Sequence, residues 1–246
     1  MRGAFGALVA LALAGAAGAQ TLPELPPAEI YVIGEQHDNP THHKMQAALV
    51  TRIAPTAVVF EMLDADQAAR ITPGVTRDAA TLGPLLDWAE SGWPDIAYYA
   101  PIMAATDAPI LGAAGPADDL SGYGLDAALP DDQQAAREAL QAASHCGALP
   151  EEILPDFVAR QRALDAQFAD RTLAALDRYG APVVLITGNG HARADWGVPA
   201  AIARVRPEVA VVTILQGEDG IVPPGGGDLV LDADAPARGD PCDAFR

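Results

Sequence analysis

Positive charge is scarce in this chain: 15 Lys and Arg face 33 Asp and Glu over 246 residues, a net charge of -18. Such a surface repels nucleic acid and anionic membranes in the mean field, so neither is an expected partner, although a local basic spot could still hold an anion. Serine is scarce too. Ser91, Ser121 and Ser144 are the only three, none in a Gly-x-Ser-x-Gly setting, which excludes a nucleophile elbow. The glycines of TGNGH at 187 to 191 have the wrong spacing for a dinucleotide fingerprint, and no repeat array or nucleic-acid motif is present. Aromatics make up 5% of the chain, and histidines number five.

One long apolar run is present, AFGALVALALAGAAGA after Arg2. It is too short for a comfortable membrane span and ends in Ala17-Gly18-Ala19 before Gln20, so it reads as a cleaved secretory signal over 1–19. The alternative is a retained anchor helix. The mature chain is expected to span 20–246, one unit more negative because Arg2 is lost, periplasmic or secreted and without stable membrane insertion. No cysteine lies at the cleavage point, so it is not an evident lipoprotein. Two cysteines, Cys146 and Cys242, would then meet a compartment that permits disulfides. A bond tying the C-terminal tail to the body is expected, with two separate buried thiols as the alternative.

The remaining pattern is an alternation of strands and helices. IYVIG (30–34), apolar on both faces, suits an interior parallel strand. Asn39 or Thr41 can cap the helix that follows, with Pro40 in its first turn. TAVVFEML (56–63) is the next strand, 78–91 reads as helical, and a helix near 99–106 and a strand at 108–112 follow. Strand-like runs vanish from 116 to 180, where helical composition dominates, and a helical subdomain able to form a lid is expected. A strand at 182–187, a Gly-rich turn, a helix at 198–205 and a strand at 209–214 complete the alternation, and LVLDA is a last strand. These elements predict an α/β fold, a mainly parallel central sheet flanked by helices with a smaller inserted helical subdomain.

Three of these strands end alike, in IYVIGEQH, AVVFEM and VVLITGNGH. Side chains just past the carboxyl ends of parallel strands gather at one edge, where such sheets hold ligands. Glu35, His37, Glu61 and His191 are therefore expected to meet. Two imidazoles and two carboxylates can hold a divalent metal such as zinc, or act as acid and base in a hydrolase, so the four are candidate metal ligands and candidate catalytic residues. The bland alternatives are solvated turns and loop braces. His42 and His43 diverge by about 100° on a helix and cannot readily chelate one ion; His145, beside Cys146, reads as structural. Arg193 can fork onto a ligand carboxylate or pair with Asp195, which could instead orient a histidine. Trp88, Trp93, Tyr98 and Tyr99 form either a core cluster or a wall for a large flat ligand, with a tyrosinate as a candidate axial iron ligand.

At these residues the chain resembles a known family. GEQHDNPTHHKMQ (34–46), VVFEML (58–63), HCGALPEEILPDFVARQRALDAQFA (145–169), TGNGHARADWGVP (187–199) and DPCDAF (240–245) together are similar to the ChaN-like haem-binding uptake family. The resemblance implies an exported bacterial protein with a parallel sheet and a smaller helical domain. It also implies that haem, or a related iron compound, is bound for iron uptake or handling, with two haems enclosed by a homodimer and a tyrosine on iron. His37, Tyr99, His191 and Arg193 are the residues expected to bind haem; Tyr98 and Tyr123 are alternatives for the tyrosine. The wider superfamily includes erythromycin-esterase-like enzymes and metal-dependent proteases with Glu and His motifs at similar strand ends, which implies hydrolysis as the competing activity.

Overall fold

Six apolar segments pair into one parallel sheet in the computed structural model, which describes residues 22–116, 119–240 and 242–243. The expected leader, 1–19, lies outside the described residues. β1 (Ile30–Ile33) lies between β4 (Val183–Ile186) and β5 (Val211–Glu218); β2 (Ala57–Asp64) lies beyond β4 and pairs with β3 (Ile110–Ala114), and β6 (Leu229–Ala233) closes the far edge beside β5. The four residues of β1 are all buried, as a strand covered on both faces requires.

Alternation along these strands divides the core in two. Ile33, Phe60 and Ile186 pack with Leu49 of α1 (Pro40–Ile53) and Ile102 of α4 (Ile96–Ala104) on one face. On the other, Val32, Val59 and Leu185 pack with Phe168 of α6 (Leu154–Tyr179) and Ile202 of α8 (Val198–Val205). Two short helices, α2 (Ala65–Ala69) and α3 (Ala79–Leu85), lie on the way to α4, α5 (Asp131–Ser144) precedes α6, and a single turn, α7 (Asn189–Ala192), precedes α8. The α/β expectation therefore holds.

Local chemistry sets the ends. The Asn39 side chain accepts from the backbone N–H of Thr41 at 2.9 Å, so Asn39 is the cap of α1 and Pro40 sits in its first turn. α2 was not foreseen from the sequence although Asp64-Ala65-Asp66-Gln67 forms a reciprocal capping box around its start. The helix expected at 78–91 divides into α3 and a short 3-10 turn over 88–90, between which Asp87 adopts a left-handed φ of 52°. α4 starts earlier than expected because Asp95 caps it through the N–H of Ala97. The segment 116–180 also behaves in two ways. α6 lays its apolar stripe on the sheet as a full member of the helical layer, whereas α5 packs on α6 and has no buried residue. Cys146 and Cys242 are bonded, tying the loop after α5 to the C-terminal segment.

The neighbours β1 and β4 lead to helices on opposite faces of the sheet, so the chain parts at their carboxyl ends and leaves a crevice there.

Candidate functional site

Gly34 ends β1 and determines how closely the β4 loop approaches: a Cβ there would lie 2.4 Å from Asn189 Oδ1. Its carbonyl accepts from Gln216 Nε2 at 2.6 Å, and the Asn189 side chain bridges to the backbone of Gln216, so the ends of β1, β4 and β5 are cross-linked. On this platform Glu35 is 1% exposed. Its Oε1 accepts from Tyr99 OH at 3.1 Å and lies 2.8 Å from His37 Nδ1. Its Oε2 faces His43 Nδ1 at 3.4 Å, and neither atom has another hydrogen-bond partner.

The three histidines of the 34–43 segment thus divide their work. His42 accepts from the N–H of Gln36 at Nδ1 and has Nε2 3.0 Å from the carbonyl of Gly217, which pins two loops together; burial holds its pKa below the ordinary 6.5. His43 is stacked on Tyr98 and holds the carbonyl of His37 through Nε2 at 2.9 Å. His37 is the one that reaches the crevice. With Nδ1 on Glu35, its Nε2 lies over Gly188, where a Cβ would be 2.8 Å away, and its ring meets Trp93 edge-on at 5.0 Å. Burial lowers the His37 pKa, but the hydrogen bond to Glu35 and the charges of Glu35 and Glu61 outweigh it and the value is raised.

Across the crevice, Glu61 Oε2 accepts from Thr187 Oγ1 at 2.5 Å and from the N–H of Gly188 at 2.8 Å. His191 Nε2 lies 3.7 Å from Glu61 Oε1, and its Nδ1 is 2.7 Å from Asp165 Oδ1 on α6. Burial lowers the His191 pKa, and the hydrogen bond that Nδ1 donates to Asp165 together with both carboxylate charges raises it further than burial depresses it. Burial also raises Asp165, so both directions favour a pair that keeps its shared proton as pH rises. Gln161 Nε2 lies 3.0 Å and 3.3 Å from the two ring nitrogens of His191, which places it over the ring.

These groups line a cavity of about 800 Å³ between the strand ends and α5, with Leu140, Val158, Ile221 and Val222 among its apolar walls. His37, Glu61, Asp165, His191 and Arg193 all reach it, so the topology does unite strand-end residues far apart in sequence. Glu35, His37, Glu61 and His191 were also expected to form a shared metal centre. No group of three or more such side chains among the described residues could hold a metal ion. Each acid is held elsewhere, Glu35 by Tyr99 and His37, Glu61 by Thr187 and Gly188, while Asp165 takes Nδ1 of His191.

Tyr99 was expected as an iron ligand. It is fully buried against Trp88, with its hydroxyl on Glu35, and it does not line the cavity. Burial and the adjacent Glu35 charge raise its pKa strongly, which opposes the tyrosinate that iron ligation would use. Tyr98 and Tyr123 do not line the cavity either. Tyr99 and Trp93 of the aromatic segment thus pack behind Glu35 and His37. Arg193 directs Nε and Nη2 onto Asp195 at 2.6 Å and 2.9 Å while lying over Trp196, so Asp195 serves the arginine and Asp165 orients the histidine.

Asp165, Gln161 and Arg137 were not singled out from sequence. A signal for the first two existed: Gln161, Asp165 and Thr172 recur at helical spacing, three polar groups on the same side of α6 as the core residue Phe168, and Asp165 and Thr172 are buried. Arg137 left no such mark, because a single arginine on a polar helix reads as a solvated face.

An α/β sheet whose strand ends carry a lined cavity at the crossover is the class to which this site belongs. Within it, residues 21–202 match the family described as haem-binding uptake, Tiki superfamily, ChaN, and the chain belongs to that family. Among solved structures, the fold is similar to the ChaN of Campylobacter jejuni, described as binding haem cofacially, at 20% identity over 81% of this chain and 86% of that one, TM-score 0.60. The type III effector HopBA1 is similar at 13% identity over 84% and 88% of the two chains, TM-score 0.48. No curated protein matches the chain.

Proposed function

We propose that this protein binds haem, or a related iron compound, in the strand-edge cavity and serves iron uptake or handling outside the cytoplasm. The observation that carries the reading is His37: its Nδ1 is held by Glu35, which leaves Nε2 on the cavity side, lying against a glycine. An imidazole so oriented, made more basic by a carboxylate, is a good iron ligand. A cavity of about 800 Å³ with Leu140, Val158, Ile221 and Val222 in its walls suits a large, partly apolar ligand. Ile221 and Val222 are 73% and 62% exposed, which supports a second copy of the chain closing over this rim. The Cys146–Cys242 disulfide supports export through the 1–19 leader.

Haem bound here would contribute iron redox and ligand chemistry; the chain's own residues hold and orient it. Titrating the chain lacking 1–19 with haem is expected to give a saturable Soret shift, weakened at least tenfold in His37→Ala. Failure to saturate would sink the reading. A second reading, acid–base hydrolysis, has one observation in its favour: the Asp165-bound imidazole of His191 stands 3.7 Å from Glu61 Oε1 at the cavity floor. It requires turnover on an ester, amide or phosphate panel that disappears in His191→Ala while the protein stays folded.

A further inference from the structure

α5 is an amphipathic helix without a core to face. None of its residues is buried, yet Arg137, Leu140, Gln141 and Ser144, spaced three and four apart, all line the cavity, and His145 at its end joins them. The face that would ordinarily carry apolar residues into a protein interior here carries one apolar group and several hydrogen-bonding ones. A ligand, rather than a neighbouring helix, is what such a stripe complements.

Arg137 gives that stripe its chemistry. Two guanidinium groups lie over the Trp196 ring, Arg193 at 3.9 Å and Arg137 at 4.8 Å from its centre. Arg193 already has its fork on Asp195. Arg137 Nε is buried with no hydrogen-bond partner, and Arg137 forms no ion pair among the described residues, in a chain with 33 acidic residues. A partly buried guanidinium held by an aromatic ring and facing a cavity is a two-point receptor for a carboxylate. Burial lowers its pKa, against its carboxylate neighbours Asp165 and Asp195, which is the cost an arriving anion would relieve.

We infer that α5 is the ligand-recognition helix of the cavity, and that Arg137 receives a carboxylate of the bound ligand and makes the site selective for an acidic planar molecule over its neutral ester. The inference rests on the haem reading and deepens it. The test is to titrate the protein with iron(III) protoporphyrin and with its dimethyl ester, delivered from the same solvent stock, following the Soret band. The wild-type protein should hold the free acid about tenfold tighter or more, the scale of one charge-assisted pair. Arg137→Ala should bind the two alike, at the affinity the wild type shows for the ester, and Arg137→Lys should recover part of the preference through charge alone. Because α5 has no buried residue, both variants should melt as the wild type does, and a melting curve checks this. Equal affinity of the wild type for acid and ester, or an unchanged preference in Arg137→Ala, overturns the inference and leaves the haem reading intact. No saturable response to either porphyrin overturns both.

Discussion

At the floor of the cavity Glu35, Glu61, Asp165 and His191 are each 8% exposed or less and each is held by a hydrogen bond, whereas α5, which closes the cavity from above, buries no residue at all. The floor is built on the sheet: three strand ends are tied together by Gly34, Asn189 and Gln216, Glu61 is held by Thr187 and the N–H of Gly188, and Asp165 reaches in from α6 to His191. The wall is held by packing on α6 and by the disulfide just beyond its last turn. Buried charge fixes geometry at the expense of stability, and a lightly attached helix keeps the adaptability to admit a bulky ligand. One side orients; the other recognises.

The largest test of this contrast is to break the floor. Asp165→Ala removes the acceptor of His191 Nδ1 from the interior and should cost about 3–5 kcal/mol in urea unfolding, with Asp165→Asn costing less because an acceptor oxygen remains. A variant as stable as the wild type would show that the pair is not what holds the floor. Next in size is the wall's clip. Replacing Cys146 and Cys242 by serine opens a loop with a sequence separation of 96 and should cost about 2–4 kcal/mol. Hydrogen exchange should then rise first in residues 131–144, and ligand binding should weaken while the strands keep their protection.

Protons sharpen the same comparison. His191 is held above its ordinary value of 6.5, so it contributes its stability in full below pH 6.5 and loses it as pH rises through the folded value. Glu218, at the cavity edge, works in the opposite sense: Arg238, chiefly, and Asn39 hold it at about 2, against burial, so its contribution is present above pH 4.5 and lost as pH falls toward 2. Unfolding free energy should therefore decline on both sides of weakly acidic pH. Asp165→Asn should flatten the alkaline decline and Arg238→Ala the acidic one; a decline that survives both substitutions assigns it to other groups.

Most of the framework was legible because strands buried on both faces write themselves as apolar runs: IYVI, AVVFEML, VVLI and LVLDA fall within a residue or two of their positions. The gathering of Glu35, His37, Glu61 and His191 followed from topology alone. What topology could not supply was which atom each side chain faces. Tyr99 and His37 both come from segments that read as ligand-lining, yet a hydroxyl that satisfies a buried carboxylate is turned away from the cavity, and only the rotamer decides it. Asp165 was hidden for another reason, since its partner is 26 residues away on a different element, and a carboxylate on a helix is ordinarily solvated. Sequence patterns report faces; pairing across elements is a property of the packed state.

The smallest expected effect is also the one that best separates wall from floor. Ala136 is exposed on α5, so Ala136→Gly removes no contact and acts only through the backbone, lowering helix stability by about 1 kcal/mol. If α5 opens independently of the sheet, that loss stays local: exchange across 131–144 should quicken severalfold while the melting temperature barely moves. In a domain of this size a loss of about 1 kcal/mol felt by the whole fold would lower the melting temperature by about 2–4 °C. A full shift of that kind would mean that α5 unfolds with the sheet, and that its missing burial reflects a thin layer rather than an adjustable wall.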